Sequence, residues 1–285
     1  MSKRAVVPLI RALSFPTPLL VESVADSLGR LEDASAIGPL IDRLAAGQGK
    51  DLRVSDAISR ALERLSGKSL GDDPELWKAW WTEAQKSGPP ATPPEAPTTV
   101  SGPRYYGFPV RSSHFVFVID VSRSMSWNER LETAQRELKQ VVEHLPKGAT
   151  FDIIAFSDKT DPWRGKLVPS NKDNLEMALR FVDHLKPLSG TNIHDAMRAA
   201  MNEEGVDTIF LLSDGSPSVG EIVDPDQLLA AIRDWNRWTR IHIHAIALLK
   251  GEAPPTFAPE ENRDRAAAFL KRLAEDSGGR FREIR

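Results

Sequence analysis

At 285 residues, with 41% hydrophobic and 27% charged side chains and a formal net charge of -3, the chain is an ordinary globular protein able to bury one large core or two modest ones. It lacks the basic surplus of a nucleic-acid binder, and having no cysteine it forms no disulfide, thiolate metal site or cysteine nucleophile. Any metal is therefore held by oxygen or imidazole. The opening MSKRAVVPLIRALSFP is broken by Pro8 and Arg11 and is too short for a signal sequence or a membrane span. The expected compartment is the cytoplasm.

From 5 to 65 the chain nearly repeats itself. AVVPLIRAL (5–13) aligns with AIGPLIDRL (36–44), and SVADSLGRL (23–31) with AISRALERL (57–65), at offsets of 31 and 34 residues. Apolar residues at three- and four-residue spacings predict helices with one buried stripe, and the period predicts stacked helix pairs. The pattern resembles HEAT-type repeats; a plain bundle of three to five helices is the alternative. In GKSLGDDPELWKAWWTEAQ, Asp72 or Asp73 caps a further helix with Pro74 in its first turn. Trp77, Trp80 and Trp81 share roughly one face of it, as an aromatic platform or, better, as the seal on the end of the stack. With no polar cap before the first helix, further repeats upstream are expected. The first domain is thus an all-α unit over 1–86.

Residues 87–103, SGPPATPPEAPTTVSGP, hold six prolines and, apart from Val100, no large apolar residue. Such a stretch forms no core and is expected to be a semi-rigid spacer.

From 104 to 285 apolar strands alternate with amphipathic helices. The strands read HFVFVID (114–120), TFDIIAFSD (150–158), VDTIFLLSD (206–214) and IHIHAIALL (241–249). Between them lie ERLETAQRELKQVVEHL, NLEMALRFVDHL, IHDAMRAAMN and DQLLAAIRDWNRWT. Strands apolar on both faces predict an α/β fold with a doubly wound, mostly parallel sheet flanked by helices. YYGFPV (105–110) and RFREI (280–284) are candidate peripheral strands, and GKLVPS (165–170) a candidate antiparallel edge.

Ligands bind at the carboxyl edge of such sheets. Two predicted strands end there in aspartate, Asp120 and Asp214. Unpaired charges at the lip of a core are costly, and two together repel, unless a divalent cation lies between them. Ser122 and Ser124, two apart on the following loop, can aim hydroxyls at the same ion. Neutral hard oxygens suit Mg2+ or Mn2+ better than zinc. A cation with few charged ligands keeps positive charge and can accept a carboxylate from another molecule.

Asp120-Val121-Ser122-Arg123-Ser124, Thr191 in LSGTNIHDAM and Asp214 in LLSDGSPS together resemble the metal-ion-dependent adhesion site of von Willebrand factor type A domains. The resemblance covers about 105–285. It implies that Ser122, Ser124 and Thr191 touch the metal directly and that Asp120 and Asp214 do so directly or through water. The implied ion is Mg2+, with Mn2+ or Ca2+ possible, and the implied partner is a protein offering an Asp or Glu carboxylate. Arg123 departs from the glycine many members have and adds a positive rim charge. Asp195 and Asn192 are expected beside the site rather than on the ion, and the helix 262–276 is a candidate mobile piece. The alternative for the serines is helix capping, and for Asp214-Gly215 a turn.

Enzyme readings find little support. A phosphatase of the haloacid dehalogenase type needs an acid where Ser122 stands; a dinucleotide turn and a nucleophile elbow are both missing. His242 and His244 share a strand face and either pair on a metal or pack; His194 is a candidate rim residue. Trp127 and Trp163 are candidate partner anchors. The leading reading is a non-enzymatic bacterial-type interaction module, with the helical repeats as a second protein contact. The alternatives are an adaptor subunit of an AAA-type ATPase machine and a metal-dependent hydrolase.

Overall fold

The computed structural model describes residues 5–47, 52–68, 70–87, 103–110, 112–251 and 260–285. The proline-rich stretch predicted as a spacer lies, from 88 to 102, outside the described residues. The chain forms two compact units, Met1–Ser101 and Gly102–Arg285.

The first unit contains helices α1 (Val6–Ala12), α2 (Pro18–Leu31), α3 (Ile37–Gly47), α4 (Leu52–Ser66) and α5 (Pro74–Ser87). Each follows the apolar periodicity of its segment, and Pro18 and Pro74 open their helices where no intrahelical N–H is needed. The central contact is α2 on α4. Gly29 lies so close to Ala61 that a Cβ there would come within 3.0 Å of the Ala61 Cα, so small residues set the approach of the two helices. Val21, Ala25 and Leu28 meet Ala57, Ile58 and Leu62 in one buried cluster. The tryptophans of α5 complete this core. Trp77 is fully buried and donates its indole N–H to the Gly71 carbonyl at 2.7 Å, and Trp80 meets it edge-on at 5.9 Å. Trp81 is partly buried against the same cluster.

The second unit opens with a hairpin, β1 (Arg104–Tyr105) and β2 (Phe108–Pro109), turned by Tyr106 and Gly107 at φ 48° and 79°. Positive φ at both turn positions matches the tight turn that right-twisted strands favour. This hairpin is a separate two-stranded sheet rather than an addition to the main one. There follow β3 (His114–Asp120), α6 (Arg130–Glu143), β4 (Thr150–Phe156), β5 (Thr160–Pro162), β6 (Val168–Pro169), α7 (Lys172–Asp183), α8 (Ile193–Met201), β7 (Thr208–Ser213), α9 (Pro225–Thr239), β8 (His242–Leu248), α10 (Glu260–Asp276) and β9 (Phe281–Ile284).

Among the described residues the main sheet runs β5-β4-β3-β7-β8-β9, with β6 also on β4. The pairs from β4 through β9 along that order are parallel; β5 and β6 are antiparallel to β4. Alternate residues of β3 serve two cores. Phe115, Phe117 and Ile119 face α6, α7 and the hairpin; Val116 and Val118 face α8, α9 and α10. The chain leaves β3 toward β4 on one side and leaves β7 toward β8 on the other. The crevice opened by this reversal lies between the carboxyl ends of β3 and β7, where ligands of such sheets sit.

Asp152 on β4 is fully buried and accepts the N–H groups of Arg164 and Gly165 at 3.1 and 2.8 Å, and Glu203, whose two carboxyl oxygens are buried without a hydrogen-bond partner, feels its charge. Burial, and then the charge of Asp152, push Glu203 up to about 8. His244, one of the two strand histidines, is stacked between Phe108 and Phe210 at 5.4 and 5.0 Å and accepts the Arg280 N–H, which makes it a packing residue.

Candidate metal site

The residues flanking the crevice come from three loops. β3 delivers Asp120 with no exposure, and its register beside β7 brings it to Ser213, whose hydroxyl donates to it at 2.5 Å. The other Asp120 oxygen accepts the Ser122 N–H at 2.7 Å, which folds the loop back over the strand end. This turn places the Ser122 and Ser124 hydroxyls 3.1 Å apart, and Ser124 donates to Asp214 at 2.7 Å. Four of the five predicted residues thus form one connected oxygen cluster.

The fifth, Thr191, is carried by the loop before α8. That loop is stitched to the Asp120–Ser124 loop by Leu188 N–H to Val121 carbonyl at 2.7 Å. Thr191 itself exchanges two bonds of 3.0 Å with Ser218, and its hydroxyl lies 3.8 Å from where a Cβ on Gly215 would stand. It is nearly buried and lies against the loop after β7. Asn192 caps α8 by accepting the Asp195 N–H at 3.1 Å and donates to its carboxylate at 2.7 Å. A His194 hydrogen bond holds that carboxylate below its usual range. His194 is not a rim residue as expected from sequence: it is 2% exposed, wedged between Asp195 and the edge of Trp235.

The electrostatics of the cluster are unfavourable as it stands. Burial, then the charge of Asp214, push Asp120 up to about 7 against the hydrogen bonds from Ser122 and Ser213. Burial raises Asp214 too, opposed by Ser124 and by Arg130. Arg130 has no counterpart in the sequence reading. Its Nη1 donates to Asp214 at 2.6 Å and its Nε to the Lys250 carbonyl at 3.0 Å, and it is 2% exposed. The signal was there: a cation in the first turn of a helix opposes the helix dipole and needs a local anion. What the pattern could not show is the kink before it. Asn128 and Glu129 both take left-handed φ, at 53° and 57°, and this lets α6 begin at Arg130 with the guanidinium turned inward. Trp127 ends half-buried beside it, whereas Trp163 stacks on Phe151 at 5.4 Å. Arg123 is exposed, as expected for a rim charge.

The family model for the von Willebrand factor type A domain matches residues 113–282, well over half of the chain. The chain belongs to the von Willebrand factor type A domain family. Domains of this family commonly act as protein-interaction modules. The human inter-alpha-trypsin inhibitor heavy chain H4 is 31% identical over 190 residues, which is 62% of this chain and 19% of that protein. The mouse heavy chain H2 is 31% identical over 121 residues, 38% of this chain and 13% of its own length. The chain therefore spans under a fifth of these relatives. A solved von Willebrand factor type A protein from Catenulispora acidiphila is 19% identical, with a TM-score of 0.49 over 60% of this chain and 38% of that one. The type A match begins one residue before β3 and ends inside β9, so it takes in all three loops of the oxygen cluster.

Proposed function

We propose that the type A domain of this chain holds a divalent cation, Mg2+ in the first place, on Asp120, Ser122, Ser124, Thr191 and Asp214, and through it grips an Asp or Glu carboxylate of a partner protein. The observation that carries this reading is the pair of buried carboxylates at the crevice, linked through Ser122 and Ser124 and both raised in pKa by burial, with the charge of Asp214 adding to the rise at Asp120. The donor set fits. It is all oxygen, with two carboxylates and three hydroxyls, which suits a hard cation and offers nothing to a soft one. The ion would supply the positive charge on which a partner's carboxylate docks. The chain's own residues do the rest: the Ser122 N–H and Ser213 hydroxyl orient Asp120, and Arg130 and Ser124 orient Asp214.

The domain assignment behind this is a helical unit over 1–86, a proline-rich spacer over 87–103 and the type A domain over 104–285. The helical unit, HEAT-like in its repeat spacing, is a second protein contact in this reading, supported by the exposed Phe15, Leu19 and Leu20 on and before α2. Among the described residues no helix is long and apolar enough to cross a membrane. The reading is tested by thermal unfolding in Mg2+ and in chelator. A ligand that binds only the folded state raises the unfolding temperature, by about 2.7 kcal/mol of added stability at one hundred times its Kd. The same transition in both solutions, or an equal Mg2+ effect in S122A, contradicts the assignment.

A further inference from the structure

Beside the candidate metal loop lies a cavity of about 370 Å3, bounded by Ser124, Trp127, Arg130, Asp214, Ser216 and Arg263. Its chemistry is one-sided. Arg130 uses Nη1 on Asp214 and Nε on the Lys250 carbonyl, which leaves Nη2 buried with no hydrogen-bond partner. The Ser216 hydroxyl is likewise buried and unpartnered. The one carboxylate in the wall, Asp214, already accepts from Ser124 and Arg130. Two guanidinium groups against one carboxylate leave the cavity with a single positive charge. Buried donors without acceptors are costly, and a charged acceptor recovers the most.

We propose that this cavity takes a second carboxylate of the same partner, adjacent to the one held through the cation. Arg130 and Ser216 donate to it, Arg263 supplies charge at its edge, and the half-buried Trp127 covers the carbon chain that carries it. The proposal rests on the metal reading above, because Ser124 and Asp214 are shared between cavity and metal loop. A single positive charge matches one carboxylate better than a doubly charged phosphate. The second carboxylate is either a neighbouring acidic side chain or the partner's chain terminus, which present the same two oxygens.

The test is an NMR titration of the full chain at saturating Mg2+, following the indole N–H of Trp127 with three probes: acetyl-Asp-Asp-amide, acetyl-Gly-Asp with a free terminus, and acetyl-Asp-Gly-amide. At least one diacid is expected to bind about tenfold tighter than the mono-acid, and S216A to remove most of that advantage. Which diacid gains identifies the source. Equal affinity for all three probes overturns the proposal, as does a diacid advantage that survives S216A. A Mg2+ titration of each protein separates the two readings. Mg2+ binding without a diacid advantage sinks the second carboxylate alone. A diacid advantage lost in S216A but present without Mg2+ binding sinks the metal reading and leaves the anion pocket standing. Neither effect sinks both.

Discussion

Arg130 and Asp214 form an ion pair of 2.6 Å with both side chains withdrawn from solvent. The arginine sits where a helix dipole disfavours it, so its position is held by the carboxylate and the Lys250 carbonyl rather than by the helix. It puts a positive charge in direct contact with one of the two crevice carboxylates. Arg130 and a divalent ion therefore draw on the same carboxylate.

From this follows a pair of opposite effects in Arg130→Met. The metal-free protein loses about 3 kcal/mol, because Asp214 is left buried without its counter-charge. Mg2+ affinity rises by about tenfold, because a positive charge no longer repels the ion. Denaturant unfolding in chelator gives the first number and metal titration the second. A variant weakened in both would show that Arg130 supports the site without competing for it.

Glu203 makes stability depend on pH. Its folded-state pKa of about 8 lies above the ordinary 4.5, so between these values the folded protein keeps a proton the unfolded chain has released. This contribution is fully present below pH 4.5, is lost as pH rises through the window and changes no further above about 8. Glu203→Gln keeps this buried side chain uncharged beside Asp152 at every pH. The variant should therefore unfold at higher denaturant than wild type at about pH 9, with the gap closing by about pH 4. A constant difference across that range would remove Glu203 as the titrating group.

In the helical unit, Trp77→Ala is expected to cost about 3–5 kcal/mol through the cavity it leaves. Trp77→Phe keeps most of the packing but strands the Gly71 carbonyl, for about 1 kcal/mol. Denaturant unfolding of the two variants side by side checks the order. Equal losses would mean that the hydrogen bond, not the packing, is what Trp77 contributes.

The fold was legible because its strands are apolar on both faces. His114–Asp120 and three of its parallel companions, β4, β7 and β8, have few other ways to be buried, and the helices between them carry clear stripes. The short edges were less so. Thr160–Pro162 pairs with β4 although its residues are polar and largely exposed, so no apolar pattern marks it. Asp120, Ser122, Ser124 and Asp214 could be read together because two strand-end carboxylates and a loop of alternating serines share one edge of the sheet. Arg130 and Ser216 could not. Their role depends on a left-handed kink at Asn128 and Glu129 and on a cavity closed by Arg263, which lies far along the chain.

The most direct test of the central claim is calorimetric titration of Mg2+ into the full chain, with Asp120→Ala and Thr191→Ala alongside. The account predicts one Mg2+ bound by wild type and none by either variant. Absence of binding by wild type, or binding that both variants keep, would contradict it.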